Sequence, residues 1–366
     1  MPRMSSAARD AARQVQVIAA DASNGAALAA RLLAALEPAV GFDDAEVIAV
    51  DPDSLLFTRL LAYRGDRLPH FAFFLRDVYL VAREPDWLSF PRLLREGGGA
   101  AVFHERFKLW LRAHPPAMSQ SAFTAWWRAQ QSPPGGGLRF GLAHRGNWVA
   151  VLQLARWTPG PGFSASHLDL LDRLAPTLGL AFARTLAGIS DASASRDTPA
   201  AGHMTFSQDR RLVAIDSSGD AWLERLPDDG LRRFGVDVPI AVQSVVNLLW
   251  ATGNPSAVSH VADRFGINVT IQGERARSVG PESAAGGALF SLSLTRTAWG
   301  KAHPVFRMLS SRQRDVAVAV AEGLSDAAIA AQMGVGAATI HERVQTLHRV
   351  LGTSTRPALV AALSRG

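Results

Sequence analysis

Leu309–Leu363 reads LSSRQRDVAVAVAEGLSDAAIAAQMGVGAATIHERVQTLHRVLGTSTRPALVAAL, and its punctuation decides the fold of this end of the chain. Ser310 or Ser311 stands where a helix N-cap belongs, ahead of Val316, Ala317, Val320 and Ala321, which share one face. Gly323 stops that helix, and Ser325 opens a second, short one over Asp326–Met333, with Ile329 and Met333 on one side. Gly334, Val335 and Gly336 then supply a tight turn. A third helix is predicted from about Ala337 to Leu351, closed by Gly352, and a fourth over Arg356–Leu363.

Two short helices joined by a Gly-containing turn of three residues form the supersecondary unit that can seat its second helix in the major groove of double-stranded DNA. Such a unit needs small or apolar residues where its helices cross, and Ala330, Val335, Ile340, Val344 and Leu347 occupy those places. It also needs polar residues on the outward face of the third helix, where His341, Glu342, Gln345, His348 and Arg349 fall. The candidate DNA contacts are Thr339, His341, Glu342, Arg343, Gln345, Arg349 and Arg356. The last 66 residues carry eight Lys and Arg against four Asp and Glu, a local excess of +4 that suits a polyanionic partner.

The segment resembles the C-terminal domain of LuxR-type (LuxR/FixJ-like) regulators across about Leu309–Leu363. The resemblance rests on Leu309-Ser-Ser-Arg312, Ala321-Glu-Gly-Leu-Ser325, Ile329-Ala330, Thr339-Ile340, Val344, Leu351-Gly352 and Arg356. It implies an all-α four-helix DNA-binding domain of a transcription regulator. Four positions depart from the family's usual residues: Gly336 for Ser, His341 for Lys, Arg343 for His and Val350 for Lys. A histidine at 341 can hydrogen-bond a base edge, but it attracts phosphate less than Lys does. The departures at His341 and Val350 motivate an alternative, a ligand-responsive interaction protein whose helix-turn-helix no longer binds DNA. On the DNA-binding reading a homodimer is expected, with Leu359, Ala362 and Leu363 of the fourth helix as a self-complementary surface; on the alternative the unit pairs with another regulator.

Upstream, the predicted element types alternate. Helix Ala26–Leu36, ended by Pro38 and Gly41, precedes strands Glu46–Val50 and Leu55–Tyr63 around a turn at Pro52-Asp53-Ser54. Helical stretches are predicted at Trp87–Arg95, Ala101–Arg112 and Ser121–Gln130. Strands Leu138–His144 and Trp148–Arg156 follow, and Ser164 caps a long helix to about Leu186. This order looks like a GAF domain, and the run Leu152–Phe182 is similar to the end of GAF-like sensors. Residues 203–300 look like a PAS-like module, with a strand at Arg211–Asp216, a turn at Ser217–Gly219, helices from Ala221 and over Pro239–Thr252, and paired strands Phe265–Gly273 and Ala288–Thr295. The expected organisation is therefore an α+β GAF-like sensor over 1–188, a linker over 189–202, a smaller α+β PAS-like module over 203–300, and the helix-turn-helix domain over 304–366. No internal sequence repeat is visible.

Nine tryptophans are present, six of them in the first segment. The GAF-like resemblance implies a small-molecule effector between sheet and helices, and an aromatic lining suits an apolar or aromatic ligand. Trp126, Trp127 and Trp148 are the candidate ligand-binding residues, the first two because adjacent helical side chains point about 100° apart.

Composition excludes other chemistry. With no cysteine, disulfides, thiolate zinc, iron–sulfur clusters and a cysteine nucleophile are impossible. The glycine runs at 97–99 and 135–137 lack the following Gly-Lys-Ser/Thr of a phosphate loop, and the histidines show no metal-ligand spacing. No cofactor, metal or enzymatic activity is expected. Arg3, Arg9, Asp10 and Arg13 interrupt any signal-peptide core, and no run reaches the ~18 apolar residues of a membrane span, so a cytoplasmic protein is expected, and the near-total use of Arg over Lys, with lysine only at 108 and 301, points to a bacterial one.

Overall fold

The computed structural model describes residues 5–80, 100–102, 136–157, 162–186, 198–227, 229–276, 289–297, 309–351 and 353–364. Among them are ten α-helices and two antiparallel five-stranded sheets, so the molecule is mixed α and β, with its helices alone at the C-terminal end. No helix among the described residues is long and apolar enough to cross a membrane.

The first unit opens with α1 (Ser6–Ala20) and α2 (Gly25–Val40). Residues 1–20 carry no predicted element, yet α1 buries Ala11, Val15, Ile18 and Ala19 along one stripe. Asn24 caps α2, accepting from the N–H groups of Ala26 and Ala27. Pro38 does not end α2 as expected; it sits inside the last turn, and the chain leaves at Gly41 with φ +67°. The sheet comprises β1 (Asp44–Val50), β2 (Phe57–Arg64), β3 (Ala100–Val102), β4 (Gly136–His144) and β5 (Asn147–Arg156), in the order β2-β1-β5-β4-β3. A short helix α3 (Leu68–Phe73) widens into a π-type turn at Phe74–Val78, neither of them expected. Ala101 and Val102, placed at the start of a helix by the sequence reading, belong to β3, where they pair with Arg139 and Leu138. The other predicted helices of 87–130, the tryptophans Trp126 and Trp127, and residues 189–197 of the expected linker lie outside the described residues.

Helix α4 (Ala165–Leu186) completes this unit with Leu171, Leu174, Leu178 and Phe182 buried and Leu168 half-buried on one stripe. At Gly179 an added Cβ would lie 1.9 Å from the Ala143 carbonyl oxygen, so only glycine lets α4 approach β4 this closely. Helices α1, α2 and α4 cover one face of the sheet, where Val47, Leu152 and Phe140 stand in register across β1, β5 and β4. The opposite face packs Ile48, Val50, Phe57 and Val151 against Phe71, Phe74 and Tyr79. Phe57 and Tyr79 stack in parallel, ring centroids 4.1 Å apart.

The second unit holds β6 (Gly202–Phe206), β7 (Leu212–Ile215), α5 (Ser217–Arg225), α6 (Ile240–Thr252), β8 (Ser256–Ala262), β9 (Asn268–Ala276) and β10 (Leu289–Arg296). Ser217–Gly219, expected as a turn, is the first turn of α5, because Asp216 accepts the Gly219 N–H at 2.6 Å and caps the helix. Its sheet runs β7-β6-β10-β9-β8. Counted from each unit's own first strand, both sheets share the order 2-1-5-4-3. Here α5 and α6 cover one face, burying Trp222, Val245 and Leu249 against Phe206, Phe290 and Leu292. Val213, Val258 and Leu289 remain exposed.

The two units meet through specific polar contacts as well as apolar ones. Leu231, Val236 and Ile240 join the aromatic cluster of the first unit. Buried Asn247 of α6 donates from Nδ2 to the carbonyls of Leu75 and Tyr79, at 2.9 and 3.0 Å. The Leu60 N–H donates to Asp229 at 3.0 Å, and the His260 N–H to Asp51 at 3.1 Å.

Candidate nucleic-acid interface

The C-terminal unit consists of α7 (Ser311–Ala321), α8 (Asp326–Met333), α9 (Ala337–Leu351) and α10 (Arg356–Ser364). Its limits follow from local chemistry. Ser310 accepts the Gln313 N–H while the Gln313 side chain accepts the Ser310 N–H at 2.9 Å, a reciprocal cap that settles which of the two serines opens α7. Ser325 caps α8 through the Ala328 N–H at 3.3 Å. Gly334 closes it in the left-handed region, φ +63°, and the next N–H, that of Val335, returns to the Ala330 carbonyl. Helix α9 then starts two residues on, so the turn between α8 and α9 spans Gly334–Gly336.

Ala330, Ile340, Val344 and Leu347 are buried at the helix crossings and Val335 is half-buried. Leu359, Ala362 and Leu363, expected to offer a dimer surface, are instead buried, since α10 packs them against α7 and α9 of the same chain. An amphipathic helix has one apolar stripe, and intramolecular packing has taken this one.

Of the predicted DNA contacts, Thr339, His341, Glu342, Gln345 and Arg349 are exposed on α9 and Arg343 is half-buried. Their spacing puts His341, Gln345 and Arg349 four residues apart on one face. Arg356 is placed differently. Its guanidinium donates to Asp326 at 2.5 Å and to the Leu324 carbonyl, so it fastens α10 to the start of α8. The same carboxylate lies 3.4 Å from Nδ1 of His341. His348, on the predicted groove face, is half-buried and pairs through Nδ1 with the Thr353 hydroxyl at 2.8 Å, close to the end of α9. Neither contact was foreseen: the Arg356–Asp326 pair joins α10 to α8, which only helix packing brings together, and the His348–Thr353 pair closes the end of α9 five residues on. The unit also touches the first one: Arg145, in the β4–β5 turn, donates to the Gln313 side chain at 2.5 Å.

In the first unit, Trp148 is half-buried and packs against the aromatic cluster of the second sheet face. That face also carries a polar row that the sequence reading missed. Glu46, Gln153 and Arg139 stand in register on β1, β5 and β4. Arg139 is 3% exposed and donates from Nε to Gln153 at 3.0 Å. Glu46 is 7% exposed, and its Oε2 has no hydrogen-bond partner among the described residues. Burial, then the neighbouring Asp44, push its carboxyl up to about 8, against smaller opposing pulls from Arg139 and Gln153. Asp44 itself accepts from the Tyr63 hydroxyl at 2.6 Å and from the Trp157 indole, and burial followed by that hydrogen bond holds the Tyr63 phenol well above its ordinary value. The alternation Asp44-Ala-Glu-Val in a strand was the available signal: with Ala45 and Val47 facing the helices, the acids must face the other way.

No protein-family profile and no curated protein matches this chain. Solved structures similar to it include the free methionine-R-sulfoxide reductase of Neisseria meningitidis in complex with its substrate, 20% identical over 50% of this chain and 95% of that one, with a TM-score of 0.33. The bacteriophytochrome RpBphP3 of the photosynthetic bacterium R. palustris is 11% identical over 87% of this chain and 75% of its own, with a TM-score of 0.34. VqmA of Vibrio cholerae, a LuxR-type receptor also solved with ligand and DNA, is 10% identical over 44% of this chain and 81% of its own, with a TM-score of 0.20.

Proposed function

We propose that the chain is a DNA-binding transcription regulator controlled by a small ligand, with a GAF-like sensor over 1–188, a PAS-like module over 203–300 and a LuxR-type helix-turn-helix over 304–366, acting as a homodimer. The observation that carries this reading is the face of α9. His341, Gln345 and Arg349 stand exposed on a helix whose other side is held by Ile340, Val344 and Leu347, next to a three-residue turn. That presentation leaves a rigid polar surface free to enter a groove. Arg356 and Asp326 brace α10 and the start of α8 beside it.

The test is selection of an operator from random double-stranded DNA, followed by titration at several salt concentrations. His341→Ala and Gln345→Ala are expected to relax base preference, each by about 1–3 kcal/mol of discrimination. Arg343→Ala and Arg349→Ala are expected to weaken binding to all sequences alike and to reduce the salt slope by about one each. If no sequence is selected and binding is insensitive to these four changes, the α9 face serves another protein instead.

A further inference from the structure

We infer that the cleft between the two sheets binds a small organic anion with an apolar body, and that Arg59 and Arg264 take its charged group. The cleft encloses about 240 Å³, and its wall comes from both α/β units and from the end of α4. Val50, Val149 and Leu186 supply an apolar side. Two carboxylates in the wall are already occupied by the protein. Asp51 accepts from the Ser54 hydroxyl at 2.7 Å and from the His260 N–H at 3.1 Å. Asp263 accepts from Nε of Arg225 at 2.8 Å and from the N–H groups of Phe265 and Ile267, at 2.9 and 2.8 Å. These carboxylates hold the β1–β2 and β8–β9 turns in shape, so they do not offer a cation site.

The guanidinium groups differ from them. Neither Arg59, on β2, nor Arg264, in the β8–β9 turn, makes an ion pair among the described residues. Arg264 lies over the Phe265 ring, 4.9 Å from its centroid, which orients it without neutralising it. A partly enclosed site with two unneutralised guanidinium groups and apolar walls selects a carboxylate or phosphate ester carrying a hydrocarbon portion. Because Arg59 belongs to the first unit and Arg264 to the second, one anion held by both adds a tie between units already joined by Asp51 and His260. By mass action such a ligand stabilises the arrangement of the two units to which it is bound. This goes beyond the regulator reading, since binding here needs no contact with DNA.

The experiment uses the full chain and four probes, followed by saturation-transfer NMR and thermal unfolding: benzoate, octanoate, phenyl phosphate and the neutral benzamide. At least one anion is expected to bind saturably and raise the unfolding midpoint, with benzamide at least tenfold weaker than benzoate. The preference between the two carboxylates and phenyl phosphate identifies the charged group. Arg59→Gln and Arg264→Gln should each weaken the bound anion about tenfold, and the double variant should abolish binding. Ala262→Leu, which narrows the cleft without changing charge, should also block it, and each variant's unliganded midpoint reports whether it has folded. Saturable binding by none of the three anions, equal binding of benzamide, or unchanged binding in a folded double variant overturns the proposal. The α9 variants should leave these titrations unchanged, so failure of DNA binding and failure of the cleft are read separately.

Discussion

The two five-stranded sheets share one strand order and differ in what covers them. The first is buried on both faces: all seven residues of β1 are buried, Val47 toward the helical layer and Ile48 toward the aromatic cluster. Among the described residues the second is covered on one face only, and the burial of β8 and β10 alternates along each strand. A sheet closed on both sides can hold charged groups away from water, as Glu46 and Arg139 are held, and burial there raises the Glu46 carboxyl. A sheet open on one side keeps Ser291 and Gln272 in solvent, where they need no partner. One topology thus yields, among the described residues, a sheet closed on both faces and a sheet closed on one.

The largest expected effects test where the two sheets are alike. Phe140→Ala and Phe290→Ala each empty a fully buried site on a helix-covered face and should cost about 3–5 kcal/mol in denaturant unfolding. A clearly smaller cost for Phe290 would mean that the second sheet packs less tightly than the first.

Next comes the polar row of the first sheet. The Glu46 carboxyl titrates near 4.5 in the unfolded chain and about 8 in the folded one, so the folded state holds the extra proton across that window. Stability is therefore full below about pH 4.5 on this account and declines as pH rises toward 8. Glu46→Gln should remove that decline and raise the Tm at pH 8 by at least about 4 °C, with little change at pH 5. An identical pH slope in the variant would show that Glu46 is already ionised and solvated.

The smallest effect separates the two faces that lie opposite the helical layers. Val151→Ala, on the second face of the first sheet, should cost about 2 kcal/mol, whereas Val258→Ala, 39% exposed on the second sheet, should stay within about 0.5 kcal/mol. A large loss at Val258 would reveal that something covers that face.

The helix-turn-helix was the most legible region because its signals are local. Ser310, Ser325 and Gly334 act on neighbours three or four residues away, and each ends up where the sequence placed it. Strands β4 and β5 were legible for the same reason, with Arg145-Gly146 between them. Helix α1 was missed, since its alanine-rich stripe becomes apolar surface worth burying only when α2 and α4 are beside it. Strands β6 and β8 were missed because pairing with β10 and β9, not their own short patterns, makes them strands.

The shared order of the two sheets leaves no trace as a sequence repeat. It arises from which strands pair, and a pairing pattern constrains only alternation and reach. Sequence alone determined the absence of thiol chemistry, the capping and turning of the C-terminal helices and the polar character of the α9 face. Tertiary structure alone decided that α10 is packed inward, that Arg356 serves Asp326, that Glu46 faces Arg139 across two strands, and that Asp51 reaches His260 some two hundred residues on. The physical reason is range. Backbone capping is satisfied within one helical turn, while burial, ion pairing and the raised carboxyl at Glu46 depend on groups that meet only once the chain has closed around them.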